Sequence, residues 1–139
     1  MAAAAPALLD TDMLSEVMKQ RDPTVRRRAR EYLAAHGHLS FSIITRYEVL
    51  RGLKAKGATQ QEAAFERRCR RSEILPLTDP TILRAAEIYA DLKRHGQLIS
   101  DADILIAATA MAHGLTLVTN NTAHYSRIAG LTLENWKSP

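Results

Sequence analysis

The chain has 139 residues, 46% of them hydrophobic and 24% charged, with 19 Lys and Arg against 15 Asp and Glu and a formal net charge of +4. That length suits one compact domain, since two independent cores would each be marginal, and the composition excludes wholesale disorder. A single cysteine, Cys69, excludes an internal disulfide framework and a multi-cysteine zinc site, while aromatics at 5% argue against a protein that stacks bases on an aromatic platform.

Ala7-Leu8-Leu9 is a short apolar run ending at Asp10 and reads as a buried strand. Asp12 reads as the cap of a short apolar helix over 13–18. Asp22-Pro23 marks the start of a helix that runs to about residue 35 and stops at His36-Gly37. Residues 39–44 read as a second strand, followed by a helix over about 45–55 that ends before Gly57. Thr59-x-x-Glu62 fits a capping box opening a helix that carries Cys69 and an arginine cluster. Residues 74–77 read as a short strand, which Pro76 places at an edge. Asp79-Pro80 repeats the Asp-Pro helix start, with its end at His95-Gly96. Ser100-x-x-Asp103 opens a strongly apolar helix ending at His113-Gly114. Strands over 115–119 and 131–133 complete an alternation that predicts a parallel sheet covered by helices on both faces.

No apolar run is long enough to span a bilayer. Residues 1–6 have neither the basic flank nor the apolar stretch of a signal peptide. The expectation is a flexible tail over 1–6, one domain over 7–139, and a cytoplasmic protein with no membrane partner. His36, His95 and His113 each precede a glycine at an expected helix end, where the helix dipole and a left-handed turn account for them as structural.

The charge is unevenly placed. Residues 19–72 hold 14 Lys and Arg against five Asp and Glu, and the rest of the chain holds 5 against 10. Such a basic middle suits either a polyanion held near carboxylates or solvated helix faces.

The carboxylates narrow the choice. In open parallel sheets ligands bind outside the carboxyl ends of the strands. Asp10 and Asp12 follow the first strand there, and Thr119, Asn120 and Asn121 follow the strand over 115–118. Asp10 directly follows an apolar run, so it is half buried and needs a partner or a metal. Glu48 lies at the edge of the apolar sector formed by Ile44, Tyr47, Val49, Leu50 and Leu53, beside the small Thr45 and Gly52. Asp103 faces Ala107 and Ala110 one and two turns on, whereas Asp101 points away around the helix. Pairing of Glu48 with Arg51 or Lys54, and capping by Asp101 or Asp103, are the structural alternatives. Asp10, Glu48 and Asp103 together offer only oxygen ligands, a set that favours Mg²⁺ or Mn²⁺ over zinc.

Leu8-Leu9-Asp10-Thr11-Asp12, the run from Ser42 through Arg46, Tyr47 and Glu48 to Gly52, and the run from Asp103 to Ala110 resemble the ordered motifs of PIN-domain nucleases. Within these the chain is similar to the VapC toxins of type II toxin–antitoxin modules, and the segment from Val118 through Tyr125 to Trp136 resembles one branch of them. The resemblance covers residues 7–136. It implies an α/β/α sandwich around a short, mainly parallel sheet, and Mg²⁺- or Mn²⁺-dependent hydrolysis of RNA phosphodiester bonds. It also implies a homodimer and inhibition by a cognate VapB-type antitoxin. Carried over by motif, Asp10, Glu48 and Asp103 are the catalytic acids, with Asp10 and Asp103 as metal ligands and Glu48 binding directly or through water. Thr11 and Thr119 match hydroxyl positions near that site, with Asp12 and Asp101 as neighbouring acids. Asn121 stands where many relatives carry a further Asp. Arg46, Arg51, Lys54, Arg67 and Arg68 are the candidates for holding RNA.

Two rival readings stand beside this one. Asp10-Thr11-Asp12 and Ser100-Asp101-Ala102-Asp103 also look like haloacid-dehalogenase-type phosphatase motifs, though that leaves Glu48 without a role and puts Lys93–Gln97 where an apolar strand is needed. A catalytically silent nucleic-acid- or partner-binding domain is the second, and it has no physical need for clustered acids.

Overall fold

The structure, a computed structural model, describes residues 4–138. In chain order it comprises β1 (Ala7–Leu9), α1 (Thr11–Lys19), α2 (Pro23–His36), β2 (Ser40–Ser42), α3 (Ile43–Lys56) and α4 (Thr59–Arg70). There follow β3 (Glu73–Leu75), α5 (Asp79–Arg94), α6 (Asp101–Ala112), β4 (Thr116–Val118), α7 (Thr122–Tyr125) and β5 (Leu133–Glu134). All strand pairs are parallel, in the order β3-β2-β1-β4-β5. β3 is an edge strand and Pro76 lies just past its end, where its missing N–H interrupts no ladder.

Side-chain alternation along the strands sorts the core into two layers. Ala7, Leu9, Leu39, Phe41 and Val118 pack with α1, α2 and α4 through Met13, Leu14, Val25, Tyr32 and Phe65. Leu8, Leu75 and Leu117 face the other way, against Ala85, Ile88 and Leu92 of α5 and the apolar α6. The result is the expected three-layer α/β/α sandwich. β1 is buried along its whole length, as a central parallel strand must be. No helix among the described residues is long and apolar enough to cross a membrane.

Several local expectations are corrected. Asp10, not Asp12, caps α1: its Oδ1 accepts from the Met13 amide at 2.8 Å, while Asp12 sits exposed inside the first turn. β2 ends at Ser42, whose hydroxyl caps α3 at once, so the extended stretch is half the expected length. Thr78, not Asp79, caps α5. The Thr59–Glu62 box does not form; α4 starts without a side-chain cap, and Glu62 pairs with Lys54 instead. Tyr47 leaves the apolar sector for solvent, with Arg51 stacked over its ring. His36, His95 and His113 do sit at helix ends, with Gly37, Gly96 and Gly114 at positive φ beside them.

Of the expected tail, residues 1–3 lie outside the described part. Pro6 extends the β1–β4 ladder, its carbonyl accepting from the Thr116 amide at 3.1 Å, and the Ala4 carbonyl meets His36 Nε2 at 2.7 Å.

Candidate active site

The strand order places the site. From β1 the chain moves outward to β2 and β3, then returns through α5 and α6 to β4 on the other side of β1. The carboxyl ends of β1 and β4 therefore form the switch point, where the connections diverge and leave a crevice. Asp10 leaves β1 there and Thr119 leaves β4. The Asp10 amide donates to the Val118 carbonyl at 3.0 Å, which fixes one end to the other.

Asp10 is only 4% exposed. Its Oδ2 accepts from the Thr119 hydroxyl at 2.6 Å, and Thr119 in turn accepts from the Asn121 amide at 2.9 Å. Among the described residues no Lys or Arg pairs with this carboxylate. Burial pushes its pKa up to about 6, against the opposing hydrogen bonds from Thr119 and Met13, and the charges of Asp12 and Asp103 add to the rise.

Glu48 projects from the second turn of α3 and is fixed from α1. The Thr11 hydroxyl donates to its Oε1 at 2.6 Å and lies 3.0 Å from the hydroxyl of the fully buried Thr45. Its Oε2 is 3.6 Å from the exposed Arg51, a loose pair. A Cβ added at Gly52, one turn along, would meet nothing within 4 Å, so the space beside Glu48 is open. That space is a groove of about 430 Å³ between α1 and the α3–α4 pair.

Asp103 stands in the first turn of α6, where Ser100 caps the helix through the Asp103 amide. Its carboxyl lies against the hydroxyl of Tyr125, a residue 1% exposed that no sequence pattern singles out. Burial, then the charges of Asp103 and Asp10 and more weakly of Glu48, push the Tyr125 hydroxyl well above the usual tyrosine range. All three acids thus act on one buried oxygen.

The other candidates divide. Asp12 and Asn121 line a second hollow, of about 440 Å³, that adjoins the groove at Glu48 along Ser15 and Lys19 of α1. The Asn121 side chain is engaged by His124 at 2.9 Å. Asp101 is exposed and takes no part in the cluster. Arg46 is bound by Glu66 and by Cys69 Sγ, and Lys54 by Glu62, so both join α3 to α4. Arg51 and Arg67 are exposed, while Arg68 is half buried.

These donors suit a hard divalent cation in kind: carboxylate and hydroxyl oxygens, with no thiolate or imidazole among them. Burial above all, and then the charges of Asp12 and Asp103, raise the pKa of Asp10, and a cation bound there would offset both. Among the described residues no three acidic, His or Cys side chains stand close enough to form a ready-made ligand cage, so binding would draw them inward.

Comparison with known proteins fixes the class. The model of the PIN domain family matches residues 7–131. Ribonuclease VapC2 from Haemophilus influenzae is 32% identical over 130 residues, covering 93% of this chain and 96% of its own. A tRNA(fMet)-specific endonuclease VapC from Shigella flexneri is 29% identical over the same shares. The crystal structure of DNA-bound VapBC from Salmonella typhimurium superposes with a TM-score of 0.85 at 28% identity, covering 96% of this chain and 99% of that one. The chain belongs to the PIN-domain family, in its VapC ribonuclease branch.

Proposed function

We propose that this chain is the toxin of a type II toxin–antitoxin pair, a cytoplasmic ribonuclease whose domain spans 7–139, dependent on Mg²⁺ or Mn²⁺ and inhibited by a VapB-type antitoxin. The observation that carries the reading is the buried Asp10 carboxylate at the β1–β4 switch point, without a Lys or Arg partner among the described residues, with Asp103 and Glu48 near enough that all three bear on the Tyr125 hydroxyl. Asp10 and Asp103 are the residues that would hold the cation, with Glu48 beside it. A divalent ion bound there supplies charge neutralisation and a water of lowered pKa.

The protein's own part is positioning. Thr119 and Met13 each take one lone pair of Asp10 and aim the remaining ones outward. Thr11 holds Glu48 where it can accept the proton of an attacking water. That water's oxygen bonds to phosphorus as the bond to the leaving sugar oxygen breaks, and the leaving oxygen is protonated in turn. A phosphomonoesterase reading would make Asp10 an attacking nucleophile and leave Glu48, held by the Thr11 hydroxyl, without a role, so the hydrolytic nuclease reading is favoured.

The exposed Ile82, Leu83 and Tyr89 of α5 support association with a second copy. Asp10→Asn, Glu48→Gln and Asp103→Asn should each abolish cleavage of total RNA after induced expression while the purified variants keep a wild-type circular dichroism spectrum. Undiminished cleavage by all three would remove the assignment.

A further inference from the structure

α2 carries Arg26, Arg27, Arg28 and Arg30 within five positions. Two of them are engaged within the fold: Arg27 pairs with Glu31, and Arg28 with Glu134. The other two, Arg26 and Arg30, are one turn apart and share a face with Ala29 and Leu33. α4 divides its charges in the same way. Glu62 and Glu66 are taken by Lys54 and Arg46 from α3, and Arg68 is left without a carboxylate.

Arg26, Arg30 and Arg68 meet around a hollow of about 140 Å³ floored by Val17, Ala29 and Leu33. Among the described residues no Asp or Glu lies within ion-pair distance of any of the three. Arg68 is half buried, and burial and the charge of Arg71 pull its pKa below the usual arginine range. Three guanidiniums, two exposed and one half buried, thus line one concavity without a counter-charge from the fold. An anion there would supply it.

The hollow lies one turn further along α4 than the groove of the candidate active site, from Ala64 to Arg68. The groove that begins at Thr11 and Glu48 runs between α1 and α4, lined by Met18 and Lys19 on one side and Gln61 and Ala64 on the other. Gln61, Ala64 and Arg68 lie on one face of α4 at steps of three and four, and Val17 of α1 faces the arginines. A chain leaving the groove past Ala64 has Arg68 as the next residue on that face of α4.

We propose that Arg26, Arg30 and Arg68 form a phosphate-binding subsite that holds the RNA backbone away from the scissile bond. Planar guanidiniums grip phosphate oxygens two at a time, and a polynucleotide presents phosphates at the regular intervals that a remote site needs. The subsite rests on the ribonuclease reading, and binding measured without metal separates the two.

The test is fluorescence anisotropy of a labelled oligouridine with metal-free protein in EDTA, across a salt series. The triple variant Arg26→Gln, Arg30→Gln, Arg68→Gln is compared with wild type and with a charge-matched control, Arg27→Gln, Arg84→Gln, Arg94→Gln. Loss of three phosphate contacts should flatten the slope of log K against log salt by about 2 and weaken low-salt binding at least tenfold. The control should keep the wild-type slope. Equal slopes for both triple variants would overturn the subsite, as would a wild-type protein that does not bind the RNA. A triple variant that loses only an acidic peptide, oligoglutamate, would assign the hollow to a protein partner and overturn it too. Cleavage of total RNA by wild type with Mn²⁺ reads the underlying activity separately.

Discussion

Asp10 performs two tasks that oppose each other. As an N-cap it accepts a backbone hydrogen bond worth about 1 kcal/mol to the helix. As a buried, unpaired carboxylate its pKa is raised from 3.8 to about 6. The unfolded chain releases this proton near 3.8 and the folded chain near 6, so between those values the folded state holds more protons. Stability from this group is therefore greatest below about pH 4 and is lost as pH rises through about 6, a difference of about 3 kcal/mol. Asp10→Asn keeps an oxygen for the Met13 amide and removes the charge. In EDTA near pH 7 the variant should melt higher than wild type, by less than that amount because the Thr119 bond is altered. It should also lose the slope between pH 4 and 6. Mn²⁺ should raise the melting temperature of wild type and not of the variant. A variant that melts lower and keeps the slope would mean that Asp10 is stabilised by something other than its cap.

Asp10 is legible in the sequence as a buried acid, because an aspartate directly after three apolar residues is carried into the interior with them. The cap falls two residues too late in a sequence reading, since either Asp10 or Asp12 can reach the amides of the first turn. Tyr125 is not legible as a site residue. Nothing in a short segment after a strand shows that its one aromatic ring will turn beneath acids from three distant elements.

At the scale of elements, the site depends on α1 holding α3. The bond from Thr11 to Glu48 crosses between helices 37 positions apart and sets the direction of a carboxylate that otherwise has only a loose pair with Arg51. Thr11→Val should lower kcat about tenfold or more with KM nearly unchanged, and Thr11→Ser should restore it, because a misdirected catalytic group affects the transition state more than binding. If Val and Ser variants behave alike in single-turnover cleavage, Thr11 has no positioning role. Helix and strand order are readable from apolar periodicity and Gly or Pro punctuation, and their boundaries move by a few residues where two capping side chains compete. The interhelical pairs Arg46–Glu66 and Lys54–Glu62 are not readable, since pattern along one helix says nothing about its neighbour. For that reason the basic segment looks more uniformly available to RNA in the sequence than it is in the fold.

At the scale of the molecule, sheet order does most to explain function. Parallel strands that diverge on either side of β1 open the crevice at the ends of β1 and β4, and the two core layers fix its walls. The outer face of α5 leaves Ile82, Leu83 and Tyr89 between 41% and 59% exposed, more apolar surface than a helix needs in water. Leu83→Asp should convert a dimer to a monomer in sedimentation velocity, and a dimer that survives the change would place the interface elsewhere.

The net charge of +4 is the sum of a basic α2–α4 region, partly neutralised by interhelical pairs, and an acidic crevice with no basic partner for Asp10 among the described residues. On the proposed function this crevice cleaves RNA only when a divalent cation joins its carboxylates. Purified, antitoxin-free, EDTA-washed protein is incubated with total RNA, with and without added Mg²⁺ or Mn²⁺, and the ends produced are mapped. Discrete cleavage that appears with the metal and stops again with EDTA is the predicted result; equal cleavage in the absence of any divalent ion would contradict it.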